Sequence, residues 1–325
     1  MSPNDKSQAQ TSGSPEQLKD WQVRFLARNQ LPATFWAKAA VDYAPLITSL
    51  VQRMVKEDIP WILGINGCQG SGKSTLADFV RSIMVHEHQL STVVLSLDDF
   101  YLTQQQRSDL AKTRHPLLAR RGVPGTHDID LALTTLRKLM GMNQTAEAVS
   151  IPRFNKLHDD RHNKGQEIQA PPRLIIFEGW CMGATPQTAQ QLIEPINALE
   201  EDLDRHGIWR SYVNDQLAGD YQRLFAQVDE WAMLQAPSFD CVFQWRLEQE
   251  KKLIHAHNLL NEPAPAVPMS ELDVRDFVAY FQRITEHCLA TLPPHIDHLY
   301  LLNQQRDIQG YQQSDINLSA RNESQ

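Results

Sequence analysis

The sequence has no long apolar run. No stretch of its 325 residues approaches the 18 consecutive apolar residues of a membrane span, so no membrane partner is expected. No secretory leader is expected either, since Met1 to Pro15 is rich in Ser, Gln and Asn and holds no apolar core. Cysteine is scarce. Cys68, Cys181, Cys241 and Cys288 stand far apart with no C-x-x-C pair, which points to free thiols in a reducing cytoplasm and away from a metal cluster. Nor is there a surplus of positive charge. A net charge of −8 argues against nucleic acid as a partner, because Lys and Arg contacts to phosphate dominate such binding. No internal repeat is visible. What is present is a hydrophobic fraction of 42%, enough to fill one large α/β domain with insertions or two smaller domains.

One segment narrows the chemistry sharply. Gly67-Cys68-Gln69-Gly70-Ser71-Gly72-Lys73-Ser74 matches the phosphate-loop pattern G-x-x-x-x-G-K-[ST] at every defined position. The apolar run 61–66 before it has strand character. The segment after it places Leu76, Phe79, Val80 and Ile83 at helical spacing. Glycines let the backbone N–H groups turn inward as an anion nest, and the following helix directs its N-terminus at phosphates. Residues Gly67 to Thr75 are the expected ATP contacts, with Lys73 reaching the β- and γ-phosphates and Ser74 a Mg²⁺ ligand.

The rest of the chain alternates strands and helices. Strands are expected at 61–66, 92–97, 173–177, 241–243 and 296–302, with helical patterns at 129–140, 189–206, 208–235, 246–260 and 270–292. This order predicts an α/β fold, a P-loop-type doubly wound parallel sheet with helices on both faces and helical or lid insertions. Residues 1–15 read as a disordered tail and 16–57 as two helical patterns packed on the core, the second bent near Pro45. The main domain is expected over 58–305, followed by a tail at 306–325.

Three further motifs carry chemistry. Leu97-Asp98-Asp99-Phe100-Tyr101 ends the second strand, and its carboxylates face the γ-phosphate if that strand lies beside the P-loop strand. One of the two could then accept a hydroxyl proton; an acidic turn capping a helix at Leu102 is the structural alternative. Phe177-Glu178-Gly179-Trp180 ends an apolar strand in a carboxylate suited to Mg²⁺, or in a mere strand-end residue. The stretch 112–173 holds eleven Lys/Arg against six Asp/Glu, whereas 182–240 holds three against ten. Two long loops, at 102–128 and 152–172, fall mostly within the basic stretch. Singly their basic residues read as solvated; together they suggest a site for a small acid.

These motifs, with Arg121-Gly122-Val123-Pro124-Gly125-Thr126-His127-Asp128 and Pro152-Arg153-Phe154-Asn155-Lys156, resemble the D-glycerate 3-kinase family. That family is similar in fold to uridine kinase, phosphoribulokinase and pantothenate kinase, and the resemblance covers roughly 60–302. It implies phosphoryl transfer from ATP, with Mg²⁺, to a hydroxyl of a small acidic acceptor such as D-glycerate. Pantothenate or a nucleoside is the alternative acceptor, and a P-loop ATPase working through a protein partner the alternative class. The resemblance makes Asp98 the general base and Arg246 a lid arginine; Asp99, Tyr101, Arg121, His127, Arg153 and Lys156 fall to the acceptor, Ser74 and Glu178 to Mg²⁺.

Overall fold

The computed structural model describes residues 18–56, 59–143, 147–156, 158–260 and 269–314. The tail expected at 1–15 lies outside them, as do 315–325.

Three helices come first: α1 (Asp20–Arg28), α2 (Thr34–Asp42) and α3 (Ala44–Lys56). Then follow β1 (Trp61–Gly67), α4 (Lys73–His86), β2 (Thr92–Ser96), α5 (Gln104–Thr113) and α6 (Ile129–Met140). Four short strands make two small ribbons, β3 (Val149–Ile151) with β6 (Gln166–Ile168) and β4 (Phe154–Asn155) with β5 (Asp160–Arg161). After β7 (Leu174–Gly179) come α7 (Ala198–Leu203), α8 (Ile208–Gln216) and α9 (Gln222–Phe225). The chain ends through β8 (Glu230–Gln235), α10 (Phe239–Leu260), α11 (Glu271–Thr291), β9 (His298–Leu302) and β10 (Ile308–Gln313).

The main sheet runs β10-β9-β8-β1-β7-β2, parallel except for the antiparallel edge strand β10. Strands β1 and β7 are almost wholly buried, as expected of parallel strands covered on both faces. Alternate residues serve two cores. Ile62, Ile175 and Phe177 join one apolar cluster with α6 and α11, while Leu63, Ile65, Leu174 and Ile176 join another with α4 and the N-terminal helices. Phe25, Trp36 and Tyr43 all pack on Phe79 of α4, so the helices at 16–57 cover one face of the sheet.

Several elements differ from expectation. Residues 230–235, expected at the end of a long helix, form the strand β8 between β1 and β9. Its Ala-Met-Leu run satisfies a helix face or a buried strand equally, and pairing with two neighbours decides the matter. Cys241-Val242-Phe243, expected as a strand, lies in the first turns of α10. A sixth strand of the main sheet, β10, lies at the start of the stretch read as a tail, most of whose remainder is outside the described residues. The long loops are partly ordered by α5 and the two ribbons. Finally, β7 rather than β2 adjoins the P-loop strand on that side.

That order creates the site. From β1 the chain crosses over β7 to β2 and later returns past β1 to β8, so a crevice opens at the carboxyl ends around β1.

Candidate active site

The P-loop follows β1 directly. Gly70 and Gly72 have φ of +80° and +95°, the left-handed region that disfavours other residues. A Cβ at Gly70 would also lie 2.7 Å from Trp245 Cβ of α10, so glycine is required there twice over. Beyond the loop, α4 begins at Lys73 and presents N–H groups without helical partners to the cleft, where Gln69, Gly70, Lys73 and Ser74 stand exposed to ligand. Gly67, Cys68, Ser71, Gly72 and Thr75 complete the loop and its first helical turn. Burial pushes the Cys68 thiol up to about 12, against the pull of Lys73, so it stays protonated.

Glu178 ends β7, paired in register with Ile65 of β1. Ser74 Oγ donates to Glu178 Oε1 at 2.9 Å, while Glu178 Oε2 is buried without a partner. An orphaned buried carboxylate oxygen is costly, and a hard divalent cation is the natural complement. No group of three His, Cys, Asp or Glu among the described residues could chelate a metal unaided. The donor set therefore fits a cation shared with nucleotide phosphates.

The adjacent carboxylates of Leu97-Asp98-Asp99-Phe100 lie within one 3₁₀ turn, which points them apart. Asp98 lines the cleft and accepts from Lys156 Nζ and the Tyr101 hydroxyl, each at 2.7 Å. Burial alone would raise its carboxyl pKa. The Lys156 and Lys73 cations and the two hydrogen bonds outweigh that and hold it well below the usual range. Asp99 faces away from the cleft, accepting from Arg153 Nη1 at 2.5 Å and from the Phe154 amide at 3.1 Å. Asp99 and Arg153 thus clamp the β4 ribbon to the turn after β2 and bring Lys156 to Asp98.

Arg121 reaches the cleft paired with Asp159, whose carboxylate is also held by the fully buried Arg107 at 2.6 Å. His127 does not line the cleft. Its ring stacks on Tyr101 at 4.6 Å, just behind the Asp98 turn. The Tyr221 hydroxyl accepts from the Gly125 amide at 3.1 Å and lies 2.6 Å from His127 Nδ1. The hydroxyl therefore donates to Nδ1, which leaves the imidazole hydrogen on Nε2, a buried atom without a partner. Burial depresses the His127 pKa to about 3, only partly offset by the Asp98 charge, so the ring is neutral. Tyr221 ends a π-helical turn, Leu217–Tyr221, and such turns leave no periodic signal in sequence.

Helices α10 and α11 supply the remaining wall. Arg246 pairs with Glu250 one turn along α10, with its guanidinium 5.2 Å from the Phe277 ring. Arg120, Trp180 and Phe281 also face the space, a cavity of about 660 Å³. Of the residues expected from sequence, Gln69, Gly70, Lys73 and Ser74 of the P-loop converge here with Asp98, Tyr101, Arg121, Lys156, Glu178 and Arg246; Gly67, Cys68, Ser71, Gly72 and Thr75 do not line the space, and Asp99, Arg153 and His127 stand behind it.

No protein-family model matches the chain. It is 37% identical over 207 residues to the uncharacterized kinase mug58 of Schizosaccharomyces pombe, covering 61% of this chain and 72% of that protein. It is 28% identical over 241 residues to the chloroplastic D-glycerate 3-kinase of Arabidopsis thaliana, covering 72% of this chain and 48% of the plant enzyme. The chain belongs to the D-glycerate 3-kinase family of P-loop kinases. A D-glycerate 3-kinase structure from Cryptococcus neoformans has the same fold, with a TM-score of 0.69 at 24% identity, covering 83% of this chain and 97% of that one. The chain is an ATP-dependent phosphotransferase acting on hydroxyl groups, and no helix among the described residues is long and apolar enough to cross a membrane.

Proposed function

We propose that the chain transfers the γ-phosphoryl group of ATP to a hydroxyl of D-glycerate. The observation that carries this reading is Asp98, an ionised carboxylate in one cleft with Lys73 and Ser74 of the P-loop. The acceptor assignment draws on the plant relative's activity and on the basic lining beside Asp98.

In the proposed reaction Lys73 and the loop amides hold the β- and γ-phosphates. Ser74 and Glu178 would hold Mg²⁺, which would supply neutralisation of the charge developing on the phosphates. Asp98 accepts a hydrogen bond from the acceptor hydroxyl and orients its oxygen in line with the γ-phosphorus. The oxygen–phosphorus bond forms as the bond to the ADP oxygen breaks, and the hydroxyl proton passes to Asp98. A carboxylate with so low a pKa is a weak base in the ground state. That suits a loose transition state, in which the attacking oxygen becomes acidic only once bonding to phosphorus has begun. Lys156, released from its ion pair, can meet the transferring phosphoryl group, and Arg246 covers it from α10.

The test is ADP release by purified protein with MgATP and D-glycerate, pantothenate, uridine or no acceptor. Glycerate-dependent release is expected. A strong signal with pantothenate or uridine and none with glycerate overturns the acceptor, and release indifferent to all of them favours an ATPase.

A further inference from the structure

Five cations line the cleft: Lys73, Arg120, Arg121, Lys156 and Arg246. Three already face carboxylates, Arg121 with Asp159, Lys156 with Asp98 and Arg246 with Glu250. Lys73 belongs to the P-loop and the nucleotide phosphates. Arg120 remains. It has no hydrogen bond or ion pair with any described residue, and its guanidinium instead lies over two rings of α11. Its guanidinium carbon lies 4.6 Å from the Phe277 centroid and 4.8 Å from that of Tyr280.

Neither ring contact gives the guanidinium an oxygen acceptor. The five N–H donors lie in its plane and point outward from the edge, in a fork that matches a carboxylate. The stretch carrying Arg120 is also pinned, because Gly122 meets Phe281 so closely that an added Cβ would come within 2.5 Å of the ring. The fork is therefore held in place, half-buried, at the cleft wall, without an anion. A partly desolvated cation without a counter-charge is unfavourable unless a ligand supplies one.

We infer that Arg120 selects an anionic acceptor by taking its carboxylate on the N–H fork of a guanidinium held over Phe277 and Tyr280. The inference rests on the kinase reading above and narrows it to hydroxy acids, against neutral polyols and nucleosides.

Steady-state kinetics of the full chain test it, comparing wild type with R120Q and R120K on D-glycerate, pantothenate, glycerol and uridine. R120Q is expected to raise KM for the acid acceptor about 10–100-fold, the range for losing a charge-assisted contact. The KM for ATP and kcat at saturating acceptor should change little, and the preference for glycerate over glycerol should collapse. R120K keeps the charge without the fork and should restore part of the affinity. If R120Q does not fold, R120K decides, because loss of the fork alone must still raise KM for the acid. An unchanged acid KM overturns the inference, as does a raised ATP KM, which would put Arg120 on nucleotide phosphate. Wild-type preference for uridine or glycerol also overturns it. Should wild type ignore glycerate but use another acid in an Arg120-dependent way, only the glycerate assignment falls.

Discussion

Asp98 and Asp99 are chain neighbours in unlike surroundings. The first lines the cleft, hydrogen-bonded to Lys156 and under the pull of Lys73; the second is locked into Arg153 and a backbone amide. Asp98→Asn keeps the shape but cannot take a proton, so kcat is expected to fall by roughly 10²–10⁴ while ATP affinity stays within a few-fold. Asp99→Asn should act differently, lowering thermal stability through loss of the Arg153 ion pair and weakening acceptor binding as Lys156 loses its support. If Asp99→Asn abolishes turnover in a fully folded protein while Asp98→Asn is active, the two roles are reversed. The same residues bear on pH. Asp98 is depressed in the fold, so its ionised form and the stability it brings persist above its unfolded pKa, about 4, and are lost only as pH falls through the lower folded value. His127, at about 3, is neutral across the working range. At saturating MgATP, kcat/KM for the acceptor should therefore show no acid limb from either group between about pH 5 and 8. An acid limb near pH 6 that vanishes in His127→Asn would show that His127 titrates in the working enzyme.

Elements decide which of these residues could be read in advance. The P-loop was legible because its geometry is local: eight consecutive residues contain the turn, the cation and the hydroxyl. Asp98 and Glu178 were legible as acidic ends of apolar strands. The separation of Asp98 from Asp99 was not, since it depends on a 3₁₀ turn and on Arg153 arriving from a distant ribbon. Strand β8 was hidden for a similar reason, its identity resting on pairing rather than on its own pattern. Tyr221 had no signal at all, since only the π-turn swings its hydroxyl beneath Gly125 and His127. Tyr221→Phe isolates that element's contribution. It keeps the ring but frees both the Gly125 amide and His127 Nδ1, so a stability loss of about 1–3 kcal/mol is expected. The KM for the acceptor should rise as well. A structural role alone would leave the imidazole unchanged, so ¹⁵N NMR of His127 is the discriminating measurement. Wild type should show the Nε2–H tautomer and Tyr221→Phe a mixture; identical spectra would mean that Tyr221 does not set the tautomer.

At the scale of the whole molecule, the two ends of the sheet divide the work. The carboxyl ends of β1, β2 and β7 hold the cleft, whereas the start of β8 holds a buried polar hub. Glu230 accepts from Ser49 Oγ at 2.6 Å and from Trp61 Nε1 at 3.0 Å, and pairs with His298 Nε2 at 2.6 Å. His298 Nδ1 lies 2.8 Å from the Tyr311 hydroxyl. One carboxylate therefore ties α3, β1, β8, β9 and β10 together, which explains how the antiparallel edge strand and an N-terminal helix are joined to the parallel core. Burial pushes the Glu230 carboxyl up, but hydrogen bonds from His298, Ser49 and Trp61 and the charge of His298 pull it below its ordinary value. Its stabilisation is thus present above the unfolded pKa, about 4.3, and fades as pH falls through the folded one. Glu230→Ala leaves three polar groups without their partner, and removing one member of such a buried set costs about 3–5 kcal/mol. For a chain of this size Tm should drop by roughly 4–7 °C. Because the hub lies away from the cleft, KM for ATP and acceptor should be unchanged below the transition. Thermal melts paired with kinetics at 25 °C check both halves. A Glu230→Ala protein with normal Tm would mean that the hub is dispensable. One with normal Tm but altered KM would mean that the two ends of the sheet are coupled.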